Sequence, residues 1–220
     1  MSRSQETNRV VRQFDTVEQA SRYGSEFNSR RHQRIRRVIV EALTDLPEGS
    51  RILDLPCGTG RLLPLLLELG YRYVGADSSP HMVEATREKL DGLQKSAAEP
   101  LEAELEVQDI TALTYPENAF DAVIVNRLFH HFTRAETRIA ALKELNRVCR
   151  GPIFVFFLNT WTANGLIFHL KHSIDRPKQR LPISLAEFRA NGAAAGLELT
   201  AHWPTRGRYG KEWYARFDRA

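Results

Sequence analysis

The stretch RILDLPCGTGRLLPLLLELG, residues 51–70, constrains the fold more tightly than any other part of the chain. A short apolar run reaches Asp54. A turn carrying Pro56, Gly58 and Gly60 follows, and a leucine-rich run of helical period begins at once. Strand, glycine turn and helix in immediate succession form the first half of a strand–helix–strand unit. The rest of the sequence repeats that rhythm. Strands are predicted at 51–55, 71–77, 101–109, 120–126 and 152–159, with helices at 61–69, 79–90 and 134–149 between most of them. Ser79 followed by Pro80 is a strong helix start, an N-cap hydroxyl before a residue whose φ is already helical. Upstream, RIRRVIVEAL (34–43) places Ile35, Val38, Ile39, Ala42 and Leu43 on one helical stripe.

Strands alternating with helices imply right-handed crossovers and a parallel sheet covered on both faces. The rhythm changes after residue 159. Residues 159–182 form a long connection with an aromatic half and a basic half. Residues 184–199 read as helix then strand, with Gly196 at the helix end, and EWYARFD (212–218) reads as a closing antiparallel strand. The expected fold is α/β: a doubly wound, seven-stranded, mostly parallel sheet whose last strand is antiparallel. The expected organisation is a helical N-terminal lid (1–45), an α/β core (46–158), a substrate-side cap connection (159–182) and a C-terminal part completing the sheet (183–220).

Composition excludes several classes. With 220 residues and 42% hydrophobic content the chain suits one domain with a full core. Its two cysteines, Cys57 and Cys149, form no disulfide framework and no C-x-x-C pair, which fits a reducing compartment. The N-terminal residues have no apolar signal region, and the longest apolar runs fall well short of the ~20 residues of a membrane span. A cytoplasmic protein is expected. Net charge is +4, made of +2 over residues 1–50, −3 over 51–164 and +5 over 165–220. The basic ends fit either solvated helix faces or attraction to phosphate and anionic surfaces. No nucleic-acid motif accompanies them, so no nucleic-acid partner is expected.

Three glycine-loop chemistries compete at 58–60. A phosphate-binding Walker loop needs Lys after its last glycine, and Arg61 stands there. A dinucleotide fingerprint needs a third glycine where Leu63 stands. The third is a loop for S-adenosylmethionine (SAM), and LDLPCGTGR resembles the first motif of the class I SAM-dependent methyltransferases. Three further segments resemble that family in the right order: YVGADSSPHMVEATREKL, LEVQDITAL and FDAVIVNRLFHHF. The resemblance covers roughly residues 35–200. It departs at Pro56, which stands where the family's first glycine usually lies, fixing φ and removing a donor.

The resemblance implies SAM as cofactor. It assigns Asp54, Cys57, Gly58, Thr59 and Gly60 to the cofactor loop, and Asp77 to the two ribose hydroxyls. Ser78 and Met82 would line the adenine pocket, Asp109 would meet the adenine amino group and Ile110 its ring, and Asn126 would touch the methionine part. A carboxylate accepting two hydroxyls agrees with the Asp77 assignment. Against these roles stands the plain one of three carboxylates capping helices or fixing loops. For Cys57 a packed, unreactive thiol is expected.

The resemblance implies that the segment after the fourth strand lies on the acceptor side. His130 and His131 are the candidate catalytic bases, with His130 slightly ahead, and Arg127 is a candidate substrate ligand. The same segment lacks the paired prolines of base-modifying amino-methyltransferases and the carboxylates of metal-dependent catechol enzymes, so no metal is expected. Tyr23 in the lid and Trp161 in the cap are further substrate candidates. A small or lipid-like acceptor and a peripheral membrane contact through the basic segments are expected. The alternatives are a non-catalytic SAM-binding regulator and an RNA-directed methyltransferase.

Overall fold

The structure is a computed structural model that describes residues 30–160, 182–205 and 210–220. Its strands are β1 (Arg51–Asp54), β2 (Arg72–Asp77), β3 (Ala103–Val107), β4 (Ala122–Val125), β5 (Ile153–Leu158), β6 (Leu197–Pro204) and β7 (Glu212–Arg219). They form one seven-stranded sheet in the order β3-β2-β1-β4-β5-β7-β6. β7 runs antiparallel to both β5 and β6, and the other pairs are parallel. The expected doubly wound sheet with an antiparallel last strand is therefore present. Among the described residues no helix is long and apolar enough to cross a membrane.

The helices are α1 (Arg30–Ala42), α2 (Leu63–Glu68), α3 (Pro80–Gln94), α4 (Ala135–Val148) and α5 (Leu185–Ala193). A 3₁₀ turn, Phe129–His131, follows β4. The central strands read as continuous apolar runs because both faces are covered. β4 is AVIV and β5 is IFVFFL, buried throughout. On one face Val123, Val125, Val155 and Phe157 pack against Leu142, Leu145 and Phe188 of α4 and α5. On the other, Ile52, Ile124, Phe154 and Phe156 pack with the α1 stripe Ile35, Val38, Ile39 and Ala42 and with α2. The stripe read from the sequence is thus a core face of the sheet. The remainder of the predicted lid, residues 1–29, lies outside the described residues, as does the cap connection from 161 to 181.

Local chemistry fixes the boundaries. Ser79 caps α3, its hydroxyl accepting from the Met82 N–H at 3.4 Å, with Pro80 in the first turn. Ser184 caps α5 the same way, accepting from the Glu187 N–H at 3.0 Å. Gly196, at φ +74°, turns the chain from α5 into β6. At Gly151, between α4 and β5, an added Cβ would lie 2.1 Å from the Asp121 carbonyl oxygen, so no other residue fits. β6 runs further than the sequence predicts, to Pro204, absorbing a register shift between Leu199 and Ala201.

Strand order reverses between β1 and β4. β1 leads outward through β2 to β3, and β4 leads outward through β5 to the other edge. A crevice opens at the carboxyl ends of strands at such a switch point. The 3₁₀ turn beside it is held by a buried arginine. Arg138 of α4 donates to the Phe132 carbonyl at 2.9 Å and to Asn191 Oδ1 of α5 at 2.7 Å, and forms an ion pair with Glu187. Its side chain is 3% exposed, whereas that of Glu187 is 49% exposed. Removing one member of a buried ionic network leaves the others unpaired and costs about 3 kcal/mol. Half of Glu187 reaches solvent, so Arg138→Ala should lower the free energy of unfolding by about 2 kcal/mol in urea denaturation. A loss under ~0.5 kcal/mol would mean that the network does not anchor the turn.

Candidate active site

The glycine loop after β1 is gripped by α3. The chain leaves β1 through a cis Leu55–Pro56 peptide, and Gly58 and Gly60 adopt φ of +56° and +65°. The Thr86 hydroxyl donates to the Gly58 carbonyl at 2.8 Å. Lys89 Nζ donates to the carbonyls of Thr59 at 2.7 Å and Gly60 at 3.2 Å. Burial and the neighbouring Arg61 pull the Lys89 ammonium down to about 8. At Gly60 a Cβ would meet Thr86 Cγ2 at 2.9 Å, so glycine is required both by φ and by the approach of α3. At Gly58 nothing lies within 4 Å, and φ alone favours glycine.

Asp77, at the tip of β2, is fixed from both sides. Its Oδ2 accepts from the Gly58 N–H and its Oδ1 from the Ser79 N–H, each at 3.0 Å. Those bonds tie the β1 loop, the β2 tip and the α3 cap into one unit. A carboxylate has about four acceptor positions, so capacity remains for hydroxyl donors.

Asp54 lies deeper, at 1% exposure. Its Oδ2 accepts from the Tyr73 hydroxyl at 3.0 Å, and its Oδ1 accepts no hydrogen bond among the described residues. Burial pushes this carboxyl up to about 8, the Tyr73 bond opposing that rise and the Asp77 charge adding to it. The Cys57 thiol is buried and driven well above its ordinary value, first by burial and then by the charges of Asp77 and Asp54. It packs at 3.7 Å from Thr86 Oγ1 and stays a protonated thiol, as the sequence reading expects.

Above these groups lies a cleft of about 740 Å³ of empty space up to its open mouth. The β1 loop contributes Pro56, Cys57, Gly58, Thr59 and Arg61 to its wall. The β2 tip and α3 contribute Asp77, Ser78, Ser79 and Met82, and the segment after β4 contributes Asn126, Arg127, Leu128 and His131. The structure therefore brings together most of the predicted residues. Gly60 and Asp54 support the wall without lining it. Asp109 and Ile110 are not among the lining residues. Asp109 Oδ1 accepts from the Thr111 N–H and hydroxyl, both at 2.8 Å, and Ile110 is buried in the α4-side core.

The segment after β4 has its own geometry. Asn126 Oδ1 accepts from the Tyr214 hydroxyl of β7 at 3.0 Å, which orients the amide. Arg127 takes φ +59°, unusual for a residue with a Cβ. The 3₁₀ turn is closed by the His131 N–H donating to the Leu128 carbonyl at 2.8 Å. His131 lines the cleft. The His130 ring lies tilted against it, ring centroids 4.2 Å apart, and meets Phe156 edge-on. Tyr23 and Trp161 lie outside the described residues.

Sequence reasoning missed Arg61, Tyr73, Thr86, Lys89 and Tyr214. Arg61 stands directly after the glycine turn, and a cation there was a readable signal. The two tyrosines reach the site by strand pairing, and nothing local in the sequence announces that.

Asp54 gives a pH test of this geometry. In the folded protein its carboxyl keeps a proton up to about 8, whereas the ordinary value is 3.8. The folded state therefore binds more protons than the unfolded chain between those values, and stability falls as pH rises across that window. The contribution is complete below the ordinary value and is lost as pH passes the folded one. Melting temperatures from pH 5 to 9 should show the wild type losing stability relative to Asp54→Asn. Parallel curves would mean that Asp54 is already ionised in the fold.

Residues 52–151 match the family model described as a methyltransferase domain. The mouse tRNA (carboxymethyluridine(34)-5-O)-methyltransferase is 35% identical over 126 residues, 57% of this chain and 17% of that protein. The demethylmenaquinone methyltransferase of Thermus thermophilus is 35% identical over 141 residues, 63% of this chain and 57% of that protein. The chain thus spans less than two thirds of the length of these relatives. The crystal structure of magnesium protoporphyrin IX methyltransferase from Synechocystis with bound SAH superimposes with a TM-score of 0.78. That match covers 97% of this chain and 99% of the other at 18% identity, which bears on the fold alone. Sheet order, glycine loop, domain match and relatives agree: residues 52–151 form a methyltransferase domain of the class I SAM-dependent type.

Proposed function

We propose that the protein is a cytoplasmic, metal-independent methyltransferase that acts on a small or lipid-like acceptor. The observation that carries this reading is the Asp77 carboxylate, fixed by two backbone N–H groups at the edge of the cleft. The residues present fit SAM. Asp77 suits a ribose diol, Ser78 and Met82 suit the adenine side, and Arg61 suits an amino-acid carboxylate. Asp54 keeps a buried oxygen, Oδ1, with no hydrogen-bond partner among the described residues, at the end of the strand that leads into the loop, and a cationic ligand above it would favour its ionised form. Asp109 and Ile110, beyond the lining, are assigned to the outer rim of the adenine site.

SAM, when bound, supplies an electrophilic methyl group and a neutral leaving group. The chain's own residues then hold and orient the acceptor. Asn126, its carbonyl oxygen engaged by Tyr214, presents its amide nitrogen as donor. His131 takes a proton where the acceptor is a phenol or an amine, and His130 supports its ring. No metal enters this scheme, since the segment from Asn126 to Arg134 carries no carboxylate to hold one. Tyr23 and Trp161 are assigned to the acceptor side from sequence alone. The demethylmenaquinone relative supports an acceptor of this kind.

A second reading, RNA methylation, is favoured by the tRNA-directed relatives and the basic ends of the chain. The two are separable. Calorimetry should detect binding of S-adenosylhomocysteine to the wild type, weakened at least ~10-fold in Asp77→Ala, because two hydroxyls lose a charged acceptor. Unchanged affinity in that variant would remove Asp77 from the cofactor site and with it this reading. Binding of transfer RNA that falls by orders of magnitude between ~50 and ~200 mM salt would favour the second reading. Co-sedimentation with anionic liposomes at low salt tests the proposed peripheral membrane contact, and its absence would remove that contact.

A further inference from the structure

We infer that Tyr214 is a positioning residue that fixes Asn126 as a hydrogen-bond donor to the cleft, so that the ligand group seated there is a lone-pair acceptor, such as a carbonyl or carboxylate oxygen, and not an ammonium. The inference rests on the methyltransferase reading above and adds what this wall of the cleft selects.

An amide side chain carries its donor and its acceptor on the same carbon, so its neighbours decide which of them faces where. Asn126 follows directly on β4 and lines the cleft at 9% exposure. Its one side-chain hydrogen bond among the described residues comes from the Tyr214 hydroxyl, at 3.0 Å from Oδ1. A phenol has a single proton, and that of Tyr214 finds its acceptor here. With the amide reversed, Nδ2 would donate to the phenol oxygen. The Tyr214 proton would then be sealed, at 1% exposure, with no acceptor among the described residues. A buried polar hydrogen left in that state is costly, so the observed orientation is the one held. Burial also raises the Tyr214 phenol well above its ordinary value, which keeps the proton in place.

The phenol cannot follow the amide, because its ring is fixed. Tyr214 is paired with Phe156 in the β5–β7 ladder, and the two rings meet edge-on with centroids 5.5 Å apart. Val38, Ile39 and Ala42 of α1 pack in the same apolar cluster and, with Ile124 and Phe154, leave only about 180 Å³ of space around it. What remains to Asn126 is Nδ2, which has no hydrogen-bond partner among the described residues. Two N–H protons on a nearly buried nitrogen in a cleft wall are satisfied by a lone pair. The carboxylate of the cofactor and an oxygen of the methyl acceptor each supply one. The ammonium at the cofactor's amino-acid end supplies none.

The test inverts this polarity without changing the shape. Asn126→Asp keeps an acceptor for Tyr214 and puts a second acceptor where Nδ2 stands. Calorimetry follows S-adenosylhomocysteine binding to the protein, then 1-tetralone, a small apolar ketone, binding to the S-adenosylhomocysteine complex. Asn126→Asp should weaken one of these two ligands ~10-fold or more, and which one it is separates a cofactor oxygen from an acceptor oxygen. In wild-type protein labelled with nitrogen-15, the Asn126 side-chain amide protons should move downfield when that ligand is added. Tyr214→Phe frees the amide to turn, so the same signals should move less than half as far, a change that loss of packing alone would not produce. Should Asn126→Asp fail to fold, the wild-type and Tyr214→Phe spectra decide the matter. No loss for either ligand in Asn126→Asp, tighter binding of S-adenosylhomocysteine by that variant, or an amide shift that is absent in the wild type or survives Tyr214→Phe would each overturn the inference. Failure of S-adenosylhomocysteine to bind the wild type would instead strike the methyltransferase reading itself, and this inference would fall with it.

Discussion

The Asp77 carboxylate is the joint on which the site depends. Two parallel strands, β1 and β2, end side by side, and each is followed by a segment that must turn back over the sheet. Asp77 accepts one N–H from each of those segments, Gly58 on one and Ser79 on the other. The same unit is closed from the far side by Thr86 and Lys89, which take the loop carbonyls at Gly58, Thr59 and Gly60. Carbonyls directed at a helix leave the opposite side of a loop for donors and side chains. This is why a glycine turn here makes a cleft wall and not merely a reversal of direction. The positive φ at Gly58 and Gly60 is the backbone condition for that arrangement.

Burial of charge is uneven around the cleft, and the unevenness has a chemical sense. Asp54 is sealed below the floor, where burial favours its protonated form. Asp77 stands at the edge with both oxygens engaged by backbone. A cation arriving above Asp54 would restore the reason for that carboxyl to ionise, so occupancy and ionisation there are linked. Cys57 between the two carboxylates is held as a thiol by the same surroundings, which makes it packing material.

Much of this was legible in the sequence, for identifiable reasons. Central strands such as AVIV and IFVFFL betray a parallel sheet because both faces are buried, and the run is apolar without alternation. Ser79–Pro80 and the two glycines are local signals, and they placed α3 and the loop to within a few residues. What stayed hidden depends on pairing across the sheet. Tyr73 reaches Asp54 only because β2 lies beside β1, and Tyr214 reaches Asn126 from a strand far along the chain. The histidine pair shows the same limit. Sequence marks both as candidates, and only the 3₁₀ turn decides that His131 faces the cleft while His130 packs against it. The predicted lid divides likewise: its arginine-rich stretch contributes a core stripe, Ile35 to Ala42, that binds α1 to the sheet.

The wall proposed for the acceptor is held more indirectly than the wall proposed for the cofactor, and this bears on specificity. The cofactor wall is fixed by backbone hydrogen bonds to Asp77 and by side chains of one long helix. The acceptor wall hangs from a short turn, one amide oriented by a tyrosine of β7, and one arginine in a costly conformation. Its anchorage comes from Arg138, which binds the Phe132 carbonyl at the end of that turn to Asn191 and Glu187 of α5. α5 belongs to the C-terminal part of the chain, whose strands β6 and β7 complete the sheet. Substitutions in β7 or α5 can thus move Asn126 and the turn without touching the glycine loop. The wall at the glycine loop is built by β1, β2 and α3, and the facing wall hangs from elements that come last in the sequence. On this geometry, acceptor choice can change while cofactor binding is preserved.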